Sequence, residues 1–378
     1  MDATELLQSH TRVSGTTSPS PEQRELRYNA RPAGYSFSSM LPSRFDSLGQ
    51  LEEVMTTPSP ALVAALAGVP GDIVVLGVGG KMGPTLARLA KRAAPHKRVI
   101  GVARFTEAGL QASLERNGIE CIAADLLSRE QLAALPEVPN VVFMAGRKFG
   151  STGSEWLTWA MNAHVPALVA ERFARSRIVA FSTACVYPFV GVDGPGAGEP
   201  TPLTPPPGEY ANSCVARERM FQHFSHRFGT PGRLIRLSYA IDMRYGVLHD
   251  IARKLMAREP IDLAMGHANV IWQGDANDWA LRALAHCTAP TRGLNISGPA
   301  VRIRDLAVGL SQRLGVPPVL IGNEASTAWL VDTREAQRLF GPPAVPMTTM
   351  LDWTADWVAH DLGSLGKPTH YEARDGKY

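Results

Sequence analysis

Only four cysteines occur among the 378 residues, Cys121, Cys185, Cys214 and Cys287, and no two are spaced as C-x-x-C. That pattern offers neither a zinc site nor a disulfide framework, so no metal is expected. The thiols read instead as free and buried among apolar neighbours, in a reducing compartment. No stretch approaches the roughly 18 uninterrupted apolar residues of a membrane span. The formal net charge is only +3, without a dense Lys/Arg block or basic-aromatic interleaving. A nucleic-acid partner is therefore not expected. The first residues are polar, with acids at Asp2 and Glu5, so a secretory leader is not expected and the location reads as cytoplasmic.

What the chain does have is 45% hydrophobic and 19% charged residues, the balance of a globular protein of one large or two modest domains. Residues 1–58 read as an N-terminal arm, partly irregular, rich in Ser, Thr, Pro and Arg over its first part. It holds one short helical pattern, L-G-Q-L-E-E-V-M. A helix follows in P-S-P-A-L-V-A-A-L-A-G, with Ser59 as cap and Pro60 in the first turn. From residue 71, short apolar runs (D-I-V-V-L-G-V, R-V-I-G-V-A, E-C-I-A-A-D, N-V-V-F-M-A-G, R-I-V-A-F-S) alternate with amphipathic helical segments. Strands alternating with such helices predict an α/β fold with a parallel sheet covered on both faces. Residues 188–208 form a long Pro/Gly loop, and beyond about 240 less regular elements suggest a smaller second lobe, 241–378.

The first apolar run ends in G-V-G-G-K-M-G-P-T-L-A-R-L. Gly77, Gly80 and Gly83 there, with Lys81 and Met82 between them, lie between a strand and a helix, and a second strand follows about 20 residues on. Such a turn admits a pyrophosphate against backbone N–H groups at the helix N-terminus, which makes 59–240 an NAD(P)-binding Rossmann domain. The second strand ends in Ala103-Arg104 and not in an acid. Arg104 is either a partner for a 2′-phosphate, which favours NADP over NAD, or a solvated loop cation.

With the next motifs the chain resembles the extended short-chain dehydrogenase/reductase family, the NAD-dependent epimerase/dehydratase group that includes UDP-galactose 4-epimerase. The motifs fall in the family's order over residues 71–358. Asp125-Leu126 resembles the adenine-pocket acid, a place where Asp125 can also cap a helix. F-M-A-G-R-K-F-G resembles the segment that carries Ala145 and Gly146 beneath the cofactor, with Lys148 either directed at the nicotinamide side or a surface charge. Asn162 sits where the family has a helical asparagine. F-S-T-A-C-V-Y-P resembles S-[ST]-x-x-V-Y-G, which makes Thr183 the hydroxyl on the reacting oxygen, with Ser182 beside it. G-E-P-T-P-L-T-P-P-P-G-E-Y, containing Glu199, resembles the approach to the catalytic tyrosine, here Tyr210. R-L-I-R-L-S-Y-A resembles the strand that brings Ser238 and Tyr239 to the substrate, V-I-W-Q-G-D keeps the family acid as Asp275, and G-L-N-I-S-G-P resembles a strand, near 293–297, that returns to the sheet.

The resemblance implies a Rossmann-type doubly wound sheet with a C-terminal substrate lobe. It also implies an NAD(P)-dependent oxidoreductase or epimerase acting on a hydroxyl or carbonyl of a carbohydrate-like substrate, and a homodimer built on two helices. One position departs from the pattern: Cys214 stands where the family has the lysine of Y-x-x-x-K. That lysine binds the nicotinamide ribose and lowers the tyrosine pKa. A thiol supplies neither the charge nor a strong donor, leaving three alternatives: Lys148 or the oxidised nicotinamide compensates, Cys214 is itself a nucleophile, or the chain is a cofactor-binding sensor or scaffold that has lost its chemistry.

Overall fold

A computed structural model describes residues 41–148 and 153–375, which form one unit. Its centre is a seven-stranded parallel sheet: β1 Ile73–Leu76, β2 Val99–Ala103, β3 Glu120–Ala123, β4 Asn140–Phe143, β5 Arg177–Thr183, β6 Gly232–Leu237 and β7 Arg292–Ile296. The order across the sheet is β7-β6-β5-β4-β1-β2-β3. Every adjacent pair is parallel. The order reverses between β1 and β4, the switch point outside whose strand ends doubly wound sheets bind their ligands.

The apolar runs are continuous because both faces are covered. In β1 all four residues are buried: Ile73 and Val75 join the core on one face, Val74 and Leu76 the core on the other. Strand β7 pairs with β6 in register Arg292 to Arg233 through Ile296 to Leu237, so the chain does return to the sheet from its second lobe.

A third core gathers in the C-terminal part of the chain, and residues from the expected arm join it. Phe45, Leu51 and Met55 are buried in it beside Trp272, Trp353 and Trp357. The Phe45 ring centroid lies 4.7 Å from that of Trp353, and the helix Leu48–Met55 is capped by Ser47. The apolar side chains of 41–58 thus pack against tryptophans more than 200 positions away. Residues 1–40 of the expected arm lie outside the described residues. The helix Pro60–Ala67 starts as expected, with Ser59 Oγ accepting from Leu62 N at 3.0 Å.

Candidate active site

The turn after β1 runs straight into helix α1, Gly83–Ala93. Gly77 has φ +87°, and a Cβ there would strike the backbone of Ala145. A Cβ on Gly83 would strike the Val78 carbonyl, so this glycine lets α1 pack close on the strand. Gly79 and Gly80 are exposed at the carboxyl end of the strand. Close backbone approach, an open turn and a helix N-terminus are what a dinucleotide pyrophosphate requires, and these residues fit one. Met82 is the N-cap residue of α1. Lys81 turns elsewhere than expected: Nζ donates to the Ala240 carbonyl at 2.8 Å and lies 4.1 Å from the Tyr245 ring centroid. Burial pulls its pKa down to about 8. It joins the turn to the second lobe.

Arg104 is exposed directly after β2. Asp125 follows β3, its Oδ1 accepting from Leu127 N at 3.0 Å and its N–H donating to Gln131 Oε1 at 2.7 Å. Leu126 is buried beside it. Ala145 is buried under Gly77, and Gly146 is exposed.

Tyr210 begins helix α2, Glu209–Phe228, and its hydroxyl shares a hydrogen bond with the side chain of Thr183 at the end of β5. Thr183 Oγ1 also accepts from Cys185 N at 3.2 Å. Burial, with the thiols Cys214 and Cys185 adding to it, raises the Tyr210 pKa well above its ordinary value, so the phenol is protonated at neutral pH. Lys148 Nζ stands 5.9 Å from the Tyr210 ring centroid and 3.5 Å from the Thr369 carbonyl. Burial lowers its pKa. The structure therefore brings Thr183, Tyr210 and Lys148 together.

Cys214 lies one turn below Tyr210, fully buried; burial pushes its pKa up to about 11, against the opposing pull of Arg217 and of a hydrogen bond to Tyr210. A neutral, enclosed thiol is a poor nucleophile. The Ser182 and Ser238 side chains bond to groups other than the Tyr210–Thr183 pair. Ser182 is buried and donates to Glu218 Oε1 at 2.7 Å. Ser238 is buried with Oγ 3.4 Å from the Asn269 carbonyl, and its own carbonyl accepts from Ser297 at 3.2 Å. Tyr239 packs half-buried on the second-lobe core, and burial raises its pKa well above 10. Glu199 anchors the Pro/Gly loop, accepting from Asn295 N at 2.9 Å through Oε1 and from Arg236 at 2.9 Å through its carbonyl.

A residue not singled out in the sequence enters the site from below. Arg217 on α2 is 5% exposed, with Nη1 donating to the Phe181 carbonyl at 2.8 Å and Nη2 to Asn162 Oδ1 at 2.7 Å. Asn162, in the π turn Ala160–His164, also bonds the backbone N–H and carbonyl of Arg147, each at 2.8 Å. The available signal was its offset of seven from Tyr210, which puts an arginine on the buried face of α2.

The family model described as "NAD dependent epimerase/dehydratase family" matches residues 73–274, more than half of the chain. The chain belongs to that family. Solved structures share its fold. MoeE5 in complex with UDP-glucose and NAD is 20% identical with a TM-score of 0.63, over 78% of this chain and all of that one. The UDP-glucuronic acid 4-epimerase of Bacillus cereus is 18% identical with a TM-score of 0.65, over 76% of this chain and 99% of that one. DesIV, a dTDP-glucose 4,6-dehydratase of Streptomyces venezuelae, is 20% identical with a TM-score of 0.64, over 77% and 97%. No curated protein matches the sequence. Among the described residues no helix is long and apolar enough to cross a membrane, and no cluster of metal ligands occurs.

Proposed function

We propose that the chain is an NAD(P)-dependent oxidoreductase or epimerase acting on a hydroxyl or carbonyl of a carbohydrate-like substrate. The observation that carries this reading is the Tyr210–Thr183 hydroxyl pair, set at the carboxyl end of β5 in a chain of this family. Two of the solved structures named above hold NAD with UDP-glucose or UDP-glucuronic acid, which supports a sugar-like substrate. Gly77, Gly80, Met82 and Gly83 would hold the pyrophosphate, Asp125 and Leu126 the adenine, and Ala145 and Gly146 would lie beneath the nicotinamide. Exposed Arg104, with no acid at the end of β2, favours NADP.

When bound, the cofactor accepts or returns a hydride at its nicotinamide carbon. The chain's own part is the proton and the pose. Thr183 holds the substrate oxygen within reach of Tyr210. The protonated phenol donates to a carbonyl oxygen as it becomes a hydroxyl, and the phenolate takes the proton back in the reverse direction. Lys148 borders the same space from the loop after β4, and Tyr239 would face the substrate.

The helices 155–172 and 209–228 leave Trp156 at 72%, Trp159 at 39% and Phe228 at 44% exposure. They support a two-fold dimer, and light scattering at micromolar concentration is expected to give twice the chain mass of 40.8 kDa.

The test of function is mass spectrometry of any ligand carried through purification, followed by turnover of that compound with NADP or NAD. A substrate-dependent change in nicotinamide absorbance, or epimer formation, is expected. Cofactor binding with no turnover of any such compound would favour a sensor or scaffold over an enzyme.

A further inference from the structure

On the reading just proposed Tyr210 requires a cation nearby, and the position one turn below it holds a neutral thiol. We propose that Arg217 supplies that charge from the buried side of the Ala145–Gly146 segment, and that the same guanidinium ties this segment to the helix bearing Tyr210. Arg217 follows Tyr210 by seven residues, two turns on the same face. Helical side chains lean towards the N-terminus, so the guanidinium reaches back towards the tyrosine. A Cβ on Gly146 would collide with its Nη2. The residue expected beneath the cofactor is thus glycine in this chain for the sake of the arginine under it.

The environment of Arg217 is that of a functional charge. Its bonds go to neutral oxygens of Phe181 and Asn162, and its buried Nε has no hydrogen-bond partner among the described residues. The adjacent carboxylate, Glu218, is engaged with Arg236 at 2.8 Å. A guanidinium buried on neutral partners is costly, and such cost collects at functional sites. Tyr210 faces Cys214 and Arg217 on its own helix, Thr183 and Cys185 from the end of β5, and Lys148 from the loop after β4. Of these only Arg217 and Lys148 carry positive charge. Burial weakens the hold of Lys148 on its proton, whereas a guanidinium keeps its own. The guanidinium also opposes the effect of burial on both Tyr210 and Cys214.

The mechanical role follows from one connected chain of bonds. Asn162 Nδ2 donates to Ser213 Oγ at 3.0 Å, and Ser213 Oγ donates to the Tyr210 carbonyl at 2.9 Å. Asn162 Oδ1 accepts from Arg147 N at 2.8 Å and Arg217 Nη2 at 2.7 Å. Removing the guanidinium frees one side of the amide that joins the nicotinamide segment to the first turn of α2.

The test labels the whole chain with 3-fluorotyrosine and follows the ionisation of Tyr210 by fluorine NMR in the cofactor-free protein, the resonance being assigned with Tyr210→Phe. Arg217→Met is expected to raise the Tyr210 midpoint by about one pH unit or more. Arg217→Lys is expected to keep it close to that of the unsubstituted chain, and Lys148→Met to move it less than Arg217→Met does. If Arg217→Met does not fold, Gly146→Ala, which displaces the guanidinium from the other side, carries the same expectation. NADPH binding is titrated in parallel by fluorescence. Its absence in the unsubstituted chain overturns the proposed function but leaves the ionisation readout valid. An unmoved midpoint in Arg217→Met or Gly146→Ala, or a larger shift in Lys148→Met, overturns the role of Arg217. Weaker NADPH binding with an unmoved midpoint likewise overturns it, as the mark of a strut alone.

Discussion

Ser182 and Thr183 are consecutive in β5 and serve opposite sides of it: Ser182 donates to the buried Glu218, while Thr183 bonds to Tyr210. Strand alternation compels this division, since successive side chains project to opposite faces. One face of the strand end thus carries the Tyr210–Thr183 hydroxyl pair. The other closes a polar knot in which Arg236 is paired with Glu218 at 2.8 Å, with side chains 4% and 0% exposed, and Tyr187 donates to Asn295 at 2.9 Å.

Breaking that knot is expected to threaten the fold. Glu218→Ala leaves the Arg236 guanidinium buried and unpaired, a loss of about 3–5 kcal/mol. Ser182→Ala removes one hydrogen bond to a charged group, a loss of about 1.5–3 kcal/mol, and leaves cofactor binding unchanged. Urea denaturation monitored by tryptophan fluorescence measures both. Equal midpoints for Glu218→Ala and the unsubstituted chain would contradict the assignment.

On the proposed reading, cofactor choice rests on one exposed side chain. With Arg104 at the end of β2, NADPH is expected to bind at least about tenfold more tightly than NADH, and Arg104→Ala is expected to remove most of the gap. Fluorescence titration with both nucleotides decides it, and equal affinities in the unsubstituted chain refute the preference.

Asp275 makes stability depend on pH. Its carboxyl is buried and accepts from Val345 N at 3.0 Å. Burial, only partly offset by that bond, lifts its pKa from 3.8 to about 7. The folded state then holds a proton that the unfolded chain releases. Its contribution is complete below about pH 4 and is lost as the pH rises through about 7. Asp275→Asn, which keeps an acceptor for Val345 without the charge, is expected to flatten this fall and to be the more stable form at pH 8. Thermal melts of the two proteins at pH 5 and pH 8 provide the check.

Periodic features made the sheet legible in advance. Each strand is a short run of apolar residues buried on both faces, and the glycine turn needs no long-range information to be seen. Motif order singles out Tyr210, Thr183 and Lys148, whose side chains the fold brings near one another. The side chains that depend on facing or distant partners were not legible. Ser182 and Ser238 look identical to site residues until the strand's direction is known. Lys81 reads as part of a phosphate turn, yet it is long enough to cross to Ala240. Phe45 reads as the end of an irregular stretch and Met55 as part of a short helix, and neither shows that its partners are remote tryptophans. Arg217 is not singled out, since an arginine in a helix is usually solvated. Only the positions of Asn162 and the Phe181 carbonyl turn it inwards.

Cys214 separates the remaining alternatives for the chemistry. A thiol that is fully buried, with its pKa pushed up to about 11, is protonated at neutral pH and closed to attack on a substrate. Cys214→Ser is therefore expected to change turnover only mildly, and iodoacetamide at neutral pH is expected to leave Cys214 unmodified in the folded chain. Tyr210→Phe removes the only proton carried by the Tyr210–Thr183 pair on its phenol side. It is expected to lower turnover by about 10²–10⁴-fold while NADPH binding stays nearly intact. The two variants are compared on the compound identified by mass spectrometry, with cofactor affinity measured alongside. Full loss in Cys214→Ser beside an active Tyr210→Phe would transfer the chemistry to the thiol. Loss in the tyrosine variant alone, with cofactor still bound, makes the phenol the proton carrier and leaves the thiol as packing beneath it.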